Sequence, residues 1–148
     1  MLGKLFRDAD RYVPAKGTYS AVPWVLRRAI GTLFTVREWQ VLTYLYLRSG
    51  PESLVWQADT QIAIDLGVGH RKIGPNIRKL VEKGFVAAAE YDGQRFLLLL
   101  DPERALRKLV AKGDIKGTSL DLLAEDFETI GLAPLTAQPV VEGSGTPT

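Results

Sequence analysis

The chain has 148 residues, room for one domain and an appendage, and 46% of them are apolar, an ordinary share for a folded protein. It has no cysteine and one histidine, His70, which excludes disulfides, thiolate metal sites and multi-histidine metal sites. Its net charge of +2 hides a split: residues 1–113 hold 18 Lys/Arg against 11 Asp/Glu, a net of +7, and residues 114–148 hold 1 against 6, a net of −5. A basic body with an acidic end points to an anionic partner for the body.

Residues 1–22 read as a basic N-terminal arm, with Lys4, Arg7, Arg11 and Lys16, punctuated by Pro14 and Gly17. The segment Val22 to Leu33 has Trp24, Val25, Leu26, Ala29 and Ile30 at near-helical spacing, and Pro23 suits a first turn. Thr35-Val36-Arg37-Glu38 is a capping box. It opens a helix expected to reach Arg48, with Trp39, Val41, Leu42, Leu45 and Tyr46 on its apolar side and Gly50-Pro51 as its stop. Ser53 to Trp56 is a short β-prone run, and the tryptophans 24, 39 and 56 are expected in the core.

Asp59 or Thr60 is expected to cap a second helix, Gln61 to Leu66, with Ile62, Ala63 and Leu66 inward and Gly67 in the left-handed closing position. A third helix carries the stripe Ile73, Ile77, Leu80 and Val81 and ends at Lys83-Gly84. Asp92-Gly93 between two β-prone runs, Phe85 to Tyr91 and Gln94 to Leu100, is a hairpin signal. Pro102 opens a helix from Glu103 to Lys112, and Thr118 or Ser119 is expected to cap a last one from Leu120 to Ile130. The last helix offers Leu122, Leu123, Phe127 and Ile130 as its apolar side, and Asp121, Glu125, Asp126 and Glu128 as a solvated acidic side. Residues 133–148, rich in Pro, Gly, Thr and Ser, read as a disordered tail.

The run Thr60 to Val86, TQIAIDLGVGHRKIGPNIRKLVEKGFV, resembles the helix-turn-helix of winged-helix proteins. MarR-type regulators and the N-terminal domains of phage and plasmid replication initiators carry such motifs. The residues behind the likeness are Ile62-Ala63, Leu66-Gly67-Val68, Ile73, Ile77, Leu80 and Lys83-Gly84-Phe85-Val86. With the hairpin it covers residues 35–100, and the preceding VPWVLRRAIGTLFTVREWQVLTYLYLRSG is similar, more loosely, to the lead-in of initiator domains. The resemblance implies an α+β, mostly helical winged helix-turn-helix with a β-hairpin wing and flanking helices. The expected divisions are the arm 1–22, a DNA-binding domain 23–113, an acidic helix 114–132 and the tail 133–148.

If the third helix reads DNA, its solvent side presents His70, Arg71, Lys72, Asn76, Arg78 and Lys79 to the major groove, and Arg95 beside the hairpin turn reaches a neighbouring groove or phosphate. A solvated helix face is the plain alternative for these cations, Arg78 and Lys83 above all. Gly74-Pro75 lies inside the expected helix. Either the helix kinks there, or it starts late with His70 to Gly74 as a looser turn.

No Gly-rich phosphate loop is present, no Ser or Thr has an evident base partner other than His70, and the carboxylates lack metal-ligand spacing. Catalysis, metals and cofactors are therefore not expected. No apolar run exceeds the length of Phe96 to Leu100, and none of signal-peptide length opens the chain, so a cytoplasmic protein away from membranes is expected. The expected function is double-stranded DNA binding, first as a transcriptional regulator and second as a plasmid or phage replication initiator. A winged-helix protein–protein adaptor is third. A homodimer could form through Val22 to Ile30 and the helices 103–112 and 120–130, and a replication or transcription protein could dock on the C-terminal region. The charge split further predicts that the acidic segment 114–148 competes with DNA for the basic face.

Overall fold

A computed structural model describes residues 6, 10–13, 22–26 and 32–135. Among them are five α-helices and a three-stranded antiparallel sheet. In chain order these are α1 (Val36–Ser49), β1 (Leu54–Val55), α2 (Asp59–Leu66), α3 (Ile73–Glu82), β2 (Val86–Tyr91), β3 (Gln94–Leu99), α4 (Pro102–Ala111) and α5 (Thr118–Thr129). Short 3-10 turns occupy Trp24–Leu26, Gly50–Glu52 and His70–Lys72.

The capping box forms as its sequence requires. The Glu38 N–H donates to Thr35 Oγ1 and the Thr35 N–H to Glu38 Oε1, each at 3.1 Å. α1 then buries Val41, Leu42, Leu45 and Tyr46. α2 and α5 start without a side-chain cap, on Ala58 and Gly117, where Asp59 or Thr60 and Thr118 or Ser119 were expected. Asp59 lies just inside α2, and its carboxylate is engaged by Arg95 instead of by the helix's own N–H groups.

β3 is the central strand, with Leu54 opposite Leu98 and Val55 opposite Leu97 on one side, and Val86 to Tyr91 opposite Leu99 to Gln94 on the other. Asp92 and Gly93 have φ of 54° and 78°, the two positive values that a two-residue type I′ hairpin turn demands. Val55, Val86, Leu97 and Leu99 face the core. Strand alternation sends Trp56, next after Val55, the other way. It is 53% exposed, which corrects its expected place in the core. Trp39 packs partly buried against the core, and the side chain of Trp24 lies outside the described residues.

Of the expected arm, residues 10–13 lie along the end of β3. The Tyr12 N–H donates to Leu99 O at 2.8 Å, and the Asp101 N–H donates to Asp10 O at 2.7 Å. The rest of 1–22, except Phe6 and Val22, lies outside the described residues, as do residues 27–31 of the expected first helix and 136–148 of the expected tail. Within 22–26 only the turn Trp24–Leu26 forms.

One buried cluster joins α1, α3, the inner side of the hairpin, α4 and α5, and it includes Leu26, Leu80, Phe85, Leu106, Phe127 and Leu135. α4 and α5 each pack on the Trp24–Leu26 turn. The apolar sides offered for dimerisation, Val25 and Leu26, Leu106 and Leu109, Leu123 and Phe127, are thus covered within the chain. Asp126, expected on the solvated side of α5, is 1% exposed. It lies one turn from Leu123 and beside Phe127, on the edge of the inward side, and this rotation leaves Leu122 and Ile130 partly exposed. Val81 is likewise 38% exposed, while Ile73, Ile77 and Leu80 are buried. No helix among the described residues is long and apolar enough to cross a membrane.

Candidate nucleic-acid interface

The junction between α2 and α3 is set by Gly67, at φ 70° and ψ 35°. In this left-handed conformation, which a Cβ would strain, the Val68 N–H reaches Ala63 O at 3.0 Å and closes α2. The chain then takes the His70–Lys72 turn and enters α3 at Ile73. Gly74 and Pro75 are the second and third residues of α3. Their N–H positions have no partner within a helix in any case, so Pro75 breaks nothing there. The helix begins at Ile73, two residues before the Pro75 start of the late reading, and Arg71 and Lys72 lie on the turn before it.

Ile73, Ile77 and Leu80 fix α3 on the core, at 0%, 5% and 0% exposure. His70, Arg71, Lys72, Pro75, Arg78 and Lys79 are exposed on its outer side. Residues 70–81 contain four Lys/Arg and no Asp/Glu. Among the described residues, Arg71, Lys72 and Arg78 make no ion pair. Lys79 lies 3.7 Å from Glu82, with both side chains more than 60% exposed, and a pair this wet restrains it little. Asn76 points back: its Nδ2 donates to Lys72 O at 2.6 Å and ties the turn to the first turn of α3.

Arg95 is not at the hairpin tip. Its Nη1 donates to Asp59 Oδ1 at 2.5 Å and its Nη2 to Gln57 O at 2.9 Å, which pins β3 to the start of α2. The tip presents Glu90, Tyr91 and Asp92, all exposed. Six of the seven expected site residues, His70 to Lys79, therefore share the turn and α3, and Arg95 lies on β3, tied to Asp59 and Gln57. Sequence spacing gave no signal of its partner Asp59, 36 positions away.

Lys83 does not belong to a solvated side. Its Nζ donates to Glu38 Oε1 at 2.5 Å and to Leu33 O at 2.7 Å, and lies 5.3 Å from the centre of the Phe34 ring.

α2 is braced on its other side by a polar network. The Tyr44 hydroxyl donates to Asp65 Oδ2 at 2.5 Å, and Gln61 Nε2 donates to Asp65 Oδ1 at 2.8 Å. Burial, then the bond to the Asp65 carboxylate, pushes the Tyr44 hydroxyl up to about 12. The same bond, followed by that from Gln61, holds Asp65 below the usual carboxylate range.

A second cationic row, Arg104, Lys108 and Lys112, recurs every four residues on the exposed side of α4, a spacing legible in the sequence but not singled out from it. Two of its three charges are matched, Arg104 by Asp10 at 3.2 Å and Lys112 by Asp114 at 3.5 Å. Among the described residues, no three His, Cys, Asp or Glu side chains come close enough to hold a metal ion. No protein-family model, no curated protein and no solved structure matches the chain.

Proposed function

We propose that the chain binds double-stranded DNA through the exposed side of the His70–Lys72 turn and α3, as a winged helix-turn-helix protein acting in transcriptional regulation. The element order supports this reading. α1, β1, α2, a sharp turn, α3 and a two-stranded hairpin follow one another as in a winged helix, with α3 in the place of the reading helix.

The observation that carries the proposal is the distribution of charge about α3. Its buried side is wholly apolar, and its exposed side with the preceding turn holds Arg71, Lys72, Arg78 and Lys79 against one carboxylate, Glu82 at the end of α3. Solvated cations of this kind, three of them without an ion pair among the described residues and Lys79 in a loose exposed pair, gain free energy by displacing counterions from the phosphate backbone. Arg71 and Arg78 also have the fork that suits a guanine edge. The tie from Asn76 to Lys72 leaves adenine readout by its amide out of the contact set. The acidic hairpin tip points to a footprint centred on α3, with the wing giving structural support.

Fluorescence anisotropy of a mixed-sequence duplex across a salt series tests this. Four neutralised phosphates correspond to a slope of roughly −3 to −4 in log K against log salt. A flat salt response, or no binding at low salt, removes the proposal.

A further inference from the structure

Between α3 and the hairpin runs an open groove lined in part by Asp59, Gly74, Arg78, Glu82 and Arg95. Its α3 wall includes Arg78, one of the exposed cations of the proposed DNA face. Two guanidinium groups and two carboxylates line it, so its charge is balanced. Asp59 stands between the two arginines. Its Oδ1 accepts from Arg95, and its Oδ2 lies on the Gly74 side, 3.4 Å from where a Cβ on Gly74 would sit. Arg78 Nη1 lies 3.8 Å from the same point. Arg95 Nε is buried and makes no hydrogen bond among the described residues, so the guanidinium keeps an unused donor.

A carboxylate and a phosphate offer a guanidinium the same pair of oxygen acceptors. We infer that this groove is a subsite for a backbone phosphodiester, formed by Arg78 and Arg95, and that Asp59 occupies it in the free protein and thereby limits the affinity for DNA. The inference rests on the DNA-binding reading and adds to it a residue that opposes binding. Asp59 neutralises Arg95 directly, so duplex DNA on α3 gains little from Arg95 while that negative charge is present. Removing the charge, with the shape kept, leaves the groove with a net positive charge and opens one more phosphate contact.

The test uses the full chain and a mixed-sequence duplex. Asp59→Asn keeps an acceptor for Arg95 and should bind roughly 3- to 10-fold tighter at low salt, with a slope steeper by about 0.9. Adding Arg95→Gln to Asp59→Asn should return both values to wild type. A wild type that binds DNA beside a folded Asp59→Asn of unchanged or weaker affinity overturns the subsite and leaves the α3 reading standing. A wild type that binds no DNA removes both. Arg95→Gln alone answers the same question if Asp59→Asn fails to fold. It leaves a bare carboxylate beside the phosphate and should weaken binding several-fold, and unchanged affinity overturns the inference.

Discussion

Lys83, one residue beyond the end of α3, places its Nζ 2.5 Å from Oε1 of Glu38 in the first turn of α1. The same Glu38 oxygen accepts the Thr35 N–H. One buried carboxylate thus closes the capping box of α1 and holds the residue that follows α3. Removing either partner strands a charge in a poorly hydrated place, at a cost of about 2 kcal/mol for Lys83→Met, less than for a fully buried pair because Lys83 is partly exposed. In a double-mutant cycle with Glu38→Gln, the coupling should reach about 1–3 kcal/mol by urea denaturation. Additive losses would show that the contact is incidental. Lys83→Met should lower stability and leave DNA affinity alone, because its charge does not face solvent with the others.

The Tyr44–Asp65 bond has a consequence at both ends of the pH scale. Asp65 is held below its unfolded value, so its contribution is present at neutral pH and fades as pH falls through the acid range. Tyr44 is raised to about 12, so its contribution is complete below the ordinary tyrosine value near 10 and is lost as pH climbs from there towards 12. Burial raises Tyr46 as well, adding to the alkaline loss. In Tyr44→Phe, the Asp65 carboxyl should titrate at higher pH by NMR and the alkaline loss should shrink. An unmoved Asp65 titration would mean that the bond does not form in solution.

The hairpin turn makes a local prediction. Gly93, at φ 78°, has nothing within 4 Å of an added Cβ, so the penalty of a side chain there is conformational alone. Gly93→Ala should cost roughly 1 kcal/mol in chemical denaturation. A neutral result would point to a different turn.

The charge split predicted competition by the acidic segment, and the structure dictates how to test it. Deleting 114–148 would remove Ile115, Leu123, Phe127 and Leu135 from the core. Asp121, Glu125 and Glu128 are exposed, so Asp121→Asn/Glu125→Gln/Glu128→Gln removes charge without a cavity. Competition predicts about threefold tighter binding of mixed duplex at low salt, vanishing near 0.15 M salt, where screening acts over about 8 Å. No change at low salt ends that idea.

The elements were legible wherever local chemistry decides them. The Thr35–Glu38 box, Gly67, Asp92-Gly93 and Pro102 each announce a boundary by a backbone or capping requirement that involves only near neighbours. The stripe Ile73, Ile77, Leu80 located the buried side of α3, and with it the exposed cations. The sequence could not show pairings set by tertiary structure. Arg95 with Asp59 and Lys83 with Glu38 join residues 36 and 45 positions apart, and no periodicity marks them. Trp56 was misjudged because its size favours burial, while β1 ends on Val55 and turns the next side chain outward. Asp126 was misjudged because a residue on the edge of a helix stripe can fall on either side.

The most direct measurement removes equal charge from two surfaces of one protein. Anisotropy with a mixed-sequence duplex in low salt would follow wild type, Arg71→Ala/Lys72→Ala/Lys79→Ala on the turn and α3, and Arg104→Ala/Lys108→Ala/Lys112→Ala on α4. Each triple variant removes three positive charges. A reading face on α3 predicts that the first loses on the order of 10-fold or more in affinity, with a shallower salt slope, and that the second stays close to wild type. Equal losses from both would contradict it, because binding would then follow total charge and not the side of the molecule that α3 presents.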